Sequence, residues 1–139
     1  MNVEVNWLAI VLAAVSTMVV GSTWYTPKVF GNTWIKLAQV DMKAAKSRSW
    51  IPLTIAMLGA LVTAYILAHF AFLAHSYFNN TFFVDTMSVA FWGWLGFTAL
   101  RMLMHDAFEG RPTKLTIINV AHEFVTLMVM AAIIGVIGV

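Results

Sequence analysis

Cysteine is absent from this sequence, and charge nearly so. With 0 cysteines the chain has no disulfide framework and no thiolate metal site, which leaves its redox compartment unmarked. Asp, Glu, Lys and Arg make up 10% of the 139 residues, where a soluble domain carries roughly 25%. Such a deficit is tolerable where the surrounding solvent is lipid rather than water. Also missing are a glycine-rich phosphate cradle, a serine nucleophile elbow and a nucleotide fingerprint, and no cofactor is expected. What the sequence does contain is apolar: 61% hydrophobic residues and a mean hydropathy of +0.84. The net charge of +2 matters less than its placement, because the charges cluster.

Between the clusters lie long stretches with little or no charge, at about 5–26, 51–73, 86–107 and 115–137. Each reaches the roughly 20 residues needed to cross a bilayer. Glu4 stands where a signal peptide would have a basic segment, and no small-residue cleavage site follows, so the first stretch reads as a span. Pro52 suits the first turn of the second, where its missing N–H costs nothing. A lipid-exposed backbone must satisfy its own hydrogen bonds, which leaves helices or a closed barrel. These runs lack the alternation of barrel strands. The expected fold is therefore all-α: one transmembrane domain over residues 1–139, folded as an integral membrane four-helix bundle with short connections.

The first connection carries Lys28, Lys36, Lys43, Lys46 and Arg48 against Asp41, and the third carries Arg111 and Lys114. The second, Ser76 to Asp85, has no Lys or Arg. Positive-inside bias then puts connections one and three in the cytoplasm of a cell-membrane protein, with both termini outside. Trp34, Leu37, Ala38, Met42 and Ala45 can share one face of a short interfacial helix, with Lys36, Gln39, Lys43 and Lys46 on the other. The basic connections point to anionic lipid headgroups as partners. Membrane topology accounts for these lysines, so nucleic acid is not an expected partner.

Close helix packing in lipid relies on small residues. Ala9, Ala13, Thr17 and Gly21 recur at four-residue intervals in the first span, and Ala56, Ala60, Ala64 and Ala68 in the second. Residues so spaced share a helix face. The two stripes can pair within a chain, across a homo-oligomer or with a membrane protein partner.

Ionisable groups gather on the last two spans: Arg101, His105, Asp106, Glu109 and Arg111, then Asn119, His122 and Glu123. Antiparallel helices bring Arg101 and Glu123 to similar depth, about 12 Å of helical rise beyond Leu115. Isolated charges there are costly. One reading is a structural Arg101–Glu123 bridge with the histidines bonded at a helix end. The other is a polar pocket in which Arg101 holds an anionic group or orients Glu123, while His105 or His122 relays a proton. His105, Asp106, His122 and Glu123 are of metal-ligating type but form no compact motif, and no metal is expected. His69, in the second span, is a second candidate, read first as a packing histidine. Trp24, Tyr25 and Pro27 end the first span in an aromatic belt and are candidates for a pocket mouth beside the Phe108–Pro112 turn. Gly110 and Pro112 in that turn end one helix and start the next.

Two spaced motifs carry a resemblance. Gly21-Ser22-Thr23-Trp24-Tyr25-Thr26-Pro27 is followed by Phe30-Gly31 and Trp34, and His105-Asp106 precedes Phe108-Glu109-Gly110-Arg111-Pro112. Over almost its whole length the chain resembles a bacterial and archaeal membrane-protein family, domain-of-unknown-function family 1761. The resemblance implies four membrane helices and supplies no reaction. The leading expectation for function is a compact helical module that assembles with itself or a membrane partner. A small transporter or channel subunit for protons, ions or a small molecule is the main rival, and a membrane-embedded enzyme using the His/Asp/Glu cluster the third. No complete catalytic arrangement is evident.

Overall fold

The computed structural model describes residues 3–47 and 50–139. Arg48, counted above among the basic residues of the first connection, lies outside them, as does the side chain of Lys46. Helix α1 is Trp7–Trp24. Two short helices follow, α2 (Gly31–Ala38) and α3 (Met42–Ser47), then α4 (Trp50–Phe78). The third span joins α5 (Phe82–Gly93), a π-helical stretch at Trp94–Ala99 and α6 (Leu100–Phe108) into one continuous rod. Helix α7 is Thr113–Ile137. These make four helical stretches long and apolar enough to span a membrane.

Local chemistry sets the ends. Asn6 caps α1: its side-chain oxygen accepts from the amides of Leu8 at 3.1 Å and Ala9 at 3.3 Å. Such a cap is worth about 1 kcal/mol. Beyond Tyr25 the chain reverses so tightly that a Cβ on Gly31 would sit 2.2 Å from the Tyr25 carbonyl oxygen. Only glycine fits there, which explains the Phe30-Gly31 pair of the early motif. Thr81 caps α5. Gly110 (φ 66°) takes the left-handed conformation after α6, as its place before Arg111-Pro112 predicts.

Around the bundle, α1 and α5 each pack on both α4 and α7. The small-residue stripes pair within the chain: Ala9, Ala13 and Thr17 of α1 are buried, as are Ala60, Ala64 and Ala68 of α4. With Ile10, Leu67, Ala90, Met130, Ala131 and Ile134 most of them form the core. That core lies towards the end opposite the basic connections. There α5 and α7 approach so closely that a Cβ on Gly135 would come within 3.0 Å of the Phe83 Cα. Towards the basic end the packing loosens. The first half of α4 has no comparable contact with α6, and Ala56, the fourth member of its stripe, is exposed.

The outer faces are strongly apolar. Leu58 is 59% exposed, Val62 58% and Phe97 83%. Contiguous apolar surface on this scale belongs in lipid, and the chain is a multi-pass membrane protein.

Several details differ from the sequence reading. The second span runs to Phe78 because no helix breaker precedes Asn79, which has φ 55°. The first connection holds two short helices rather than one, since Gln39 takes a left-handed conformation (φ 53°) after α2. Trp34 turns towards the bundle, not to the lipid surface. Nothing in the sequence pattern announced the π-helical stretch.

Candidate functional site

Where the bundle loosens, α1, α4 and α7 border a cavity of about 890 Å³. Its walls are largely apolar, with Met18, Leu53, Ala56, Ala60 and Met130 among them. The polar groups come from the same helices and their neighbours, Thr63 from α4 among them. Helix α7 supplies His122, Glu123 and Thr126, α1 supplies Thr17 and Ser22, and the π-helical stretch supplies Thr98. Tyr25, just past α1, and Trp34 of α2 also line it.

The positions of these groups follow from close backbone packing. A Cβ on Gly21 would meet His122 Nε2 at 3.6 Å, so α1 and α7 touch where His122 needs room. The imidazole is held between Tyr25, at a ring separation of 5.0 Å, and Trp24, at 6.0 Å. Its Nδ1 lies 3.4 Å from Glu123 Oε1, a long contact to a carboxylate that is 41% exposed. Trp34 is fixed by donating its Nε1–H to Asn119 Oδ1 at 3.0 Å, and Tyr25 packs edge-on against it at 5.2 Å. Three buried polar atoms, Trp24 Nε1, His122 Nε2 and Thr126 Oγ1, have no hydrogen-bond partner among the described residues. His122 and Thr126 belong to residues lining the cavity. Buried polar atoms are nearly always satisfied in native proteins, so these two mark places where a ligand or water would bond.

Residues 8–135 match a family model described as protein of unknown function (DUF1761). The chain belongs to this family. Comparisons with curated proteins and with solved structures give no match. Both motifs of the DUF1761 resemblance now have a place. Gly21 to Gly31 shapes the α1 side of the cavity and the turn beyond it. The His105–Pro112 motif builds something else.

That second motif is a clasp at the α6–α7 turn. Thr116 donates its hydroxyl to Asp106 Oδ2 at 2.7 Å. The Arg111 guanidinium contacts Glu109 Oε2 at 2.6 Å and Asp106 Oδ1 at 3.7 Å. Asp106 is therefore a staple between helices, and none of the residues 105–112 lines the cavity. The eight ionisable and polar candidates thus divide. His122 and Glu123 form the cavity wall, with Asn119 behind Trp34. Asp106, Glu109 and Arg111 form the clasp, while Arg101 and His105 are exposed. No ion pair joins Arg101 to Glu123 among the described residues, so the arginine that pairs in this region is Arg111. Trp24 backs His122 and Tyr25 lines the cavity, whereas Pro27 sits in the turn, its carbonyl accepting from Asn32 at 3.2 Å. Among the described residues no three His, Asp or Glu side chains gather as a metal site requires.

His69 is satisfied on its own helix, its Nδ1 2.8 Å from the Tyr65 carbonyl and its ring 4.2 Å from the tyrosine ring. The sequence reading missed a polar cluster at the opposite end. Asp85, 3% exposed, accepts from His75 Nδ1 at 3.1 Å and from Asn80 Nδ2 at 2.9 Å. The signal was present: Asp85 is the one acid between Asp41 and Asp106, and a buried carboxylate needs such partners. It pins the α4–α5 turn. Also unforeseen was the contribution of early α4 to the lining: Pro52 read as a first-turn residue, Ala56 as part of a packing stripe, and Leu53 as an ordinary span residue.

Proposed function

We propose that this membrane protein binds a small amphipathic molecule in the cavity between α1, α4 and α7, as a binding module of the kind a transporter or carrier needs. The observation that carries this reading is the cavity itself, about 890 Å³. Ligand sites typically measure roughly 300–1,000 Å³, with mainly apolar walls and a few convergent polar groups. Here the apolar part of a ligand would lie along Met18, Leu53 and Ala56, and its polar end would meet Glu123, His122 and Tyr25. Entry from lipid is open, because α4 and α6 do not close on one another. Assembly draws less support, since the small-residue stripes that suggested it are occupied inside one chain. An oligomer or a membrane protein partner would use another face. Enzymatic chemistry draws less support, since among the described residues of the cavity no hydroxyl hydrogen-bonds to His122 or Glu123, and Thr17 and Ser22 donate to backbone carbonyls.

The Lys and Arg distribution also leads us to infer that the cavity end faces the cytoplasm of the cell membrane, where the basic connections meet anionic headgroups.

Photolabelling tests the binding reading. A neutral aryl diazirine is added to the protein in lipid nanodiscs, and labelled residues are mapped by peptide mass spectrometry. Saturable labelling should concentrate on Tyr25, Trp34 and the Leu53–Ala56 turn, and Ala56→Trp should remove it. Labelling spread evenly over lipid-facing Leu8, Leu58 and Val62, and indifferent to Ala56→Trp, would overturn the assignment.

A further inference from the structure

The charge of the cavity narrows its occupant. Among the described residues Glu123 is the sole carboxylate of its walls, and no Lys or Arg lines it. Among the described residues its one ionic neighbour is His122 at 3.4 Å; Arg101, the partner the sequence offered, is exposed and forms no ion pair with it, and Arg111 is committed to Asp106 and Glu109. A carboxylate at this depth lacks the compensation it would have in water. An anionic ligand would be repelled. A cation would supply the missing partner and lose less on leaving water if its charge were shielded by hydrocarbon. The aromatic residues agree with this sign. Tyr25 and Trp34, with ring centroids 5.2 Å apart, both line the same cavity, and aromatic faces attract cations within about 6 Å.

Resting on the binding reading above, we propose that the occupant is a lipophilic monocation, an amine or quaternary centre on an apolar body, held with its charge at Glu123. The apolar walls take up the body, and selectivity comes from the carboxylate, which distinguishes charge sign rather than detailed shape. Ligands of different outline but like charge therefore compete for one site.

The test uses the full chain in nanodiscs of uncharged lipid. Tritiated tetraphenylphosphonium is the probe and tetraphenylborate its anionic counterpart of nearly equal shape. Tetraphenylphosphonium should bind saturably and compete with diazirine labelling, whereas tetraphenylborate should do neither. Glu123→Gln, which keeps the side-chain shape, should weaken cation binding about tenfold or more, equivalent to about 1.4 kcal/mol, while neutral labelling of the cavity persists. That persistence shows that the variant is folded. Equal affinity in Glu123→Gln, or saturable tetraphenylborate binding as tight as that of the cation, overturns the proposal. Neutral labelling of the cavity without saturable cation binding refutes the ligand class and leaves the pocket standing. Loss of both in the unaltered protein refutes the pocket as well.

Discussion

The same substitution at two positions of one helix stripe should give opposite results. Ala64 and Ala56 are eight residues apart on α4 and share a face. Ala64 is 0% exposed in the core. Replacing it with leucine forces extra carbons between α1 and α4, and overpacking of this kind costs about 1–3 kcal/mol. Ala56 borders the cavity of about 890 Å³, which has ample room for a leucine side chain. Ala56→Leu should therefore shift stability by less than about 0.5 kcal/mol. The assay is unfolding in mixed micelles by titration with a denaturing detergent, followed by helicity, with native mass spectrometry on the same samples to record assembly. Equal destabilisation by the two variants would refute the division into a tight half and an open half. If Ala64→Leu instead dissociated an oligomer without weakening the monomer, the stripe would be an interface between copies and its assignment to the interior would fail.

Two further outcomes follow from the clasp and from the charge distribution. Asp106→Ala removes the acceptor of Thr116 and one partner of Arg111. It should cost about 1–2 kcal/mol, and Asp106→Asn less, because the amide oxygen still accepts from Thr116 and a half-exposed ion pair contributes under about 1 kcal/mol; the same detergent titration checks this, and a larger loss for Asn than for Ala would contradict it. The natural chain has no cysteine, so Tyr77→Cys and Lys36→Cys each place a single thiol at opposite ends. A membrane-impermeant maleimide applied to intact cells should label Tyr77→Cys alone, and labelling of both variants would rule out the inferred orientation.

The candidate site was legible in part, and the boundary has a physical cause. His122 and Glu123 stood out because an ionisable pair well inside an apolar helix is expensive and needs a reason. Arg101 stood out on the same ground, yet it is exposed and joins no ion pair among the described residues. Similar depth constrains position along a helix but not rotation about its axis. Asp106, Glu109 and Arg111 read as part of one polar group with His122. They separate because Asp106 is drawn to Thr116 across the α6–α7 turn. Asp85 escaped notice since its partners, His75 in the last turn of α4 and Asn80 in the turn beyond, lie at a connection that looked unremarkable for lack of basic residues.

Solvent was written into the residue order. Long runs with little charge, Lys and Arg gathered mostly in the connections and the Gly110 turn require helices in lipid, whatever their arrangement, because hydrocarbon offers the backbone no other partner. The small-residue stripes likewise established which faces come close. Which stretch of each stripe does so was left to the fold: α1 and α4 pack at Ala13 and Ala64 and part at Gly21 and Ala56, while the π-helical stretch of the third span lies on the open side. Local spacing repeats along a helix, but two rods can stay in contact along their whole length only if their neighbours allow it. Here α5 and α7 lock together at Gly135, away from the basic end, and the space left beside Glu123 is the consequence.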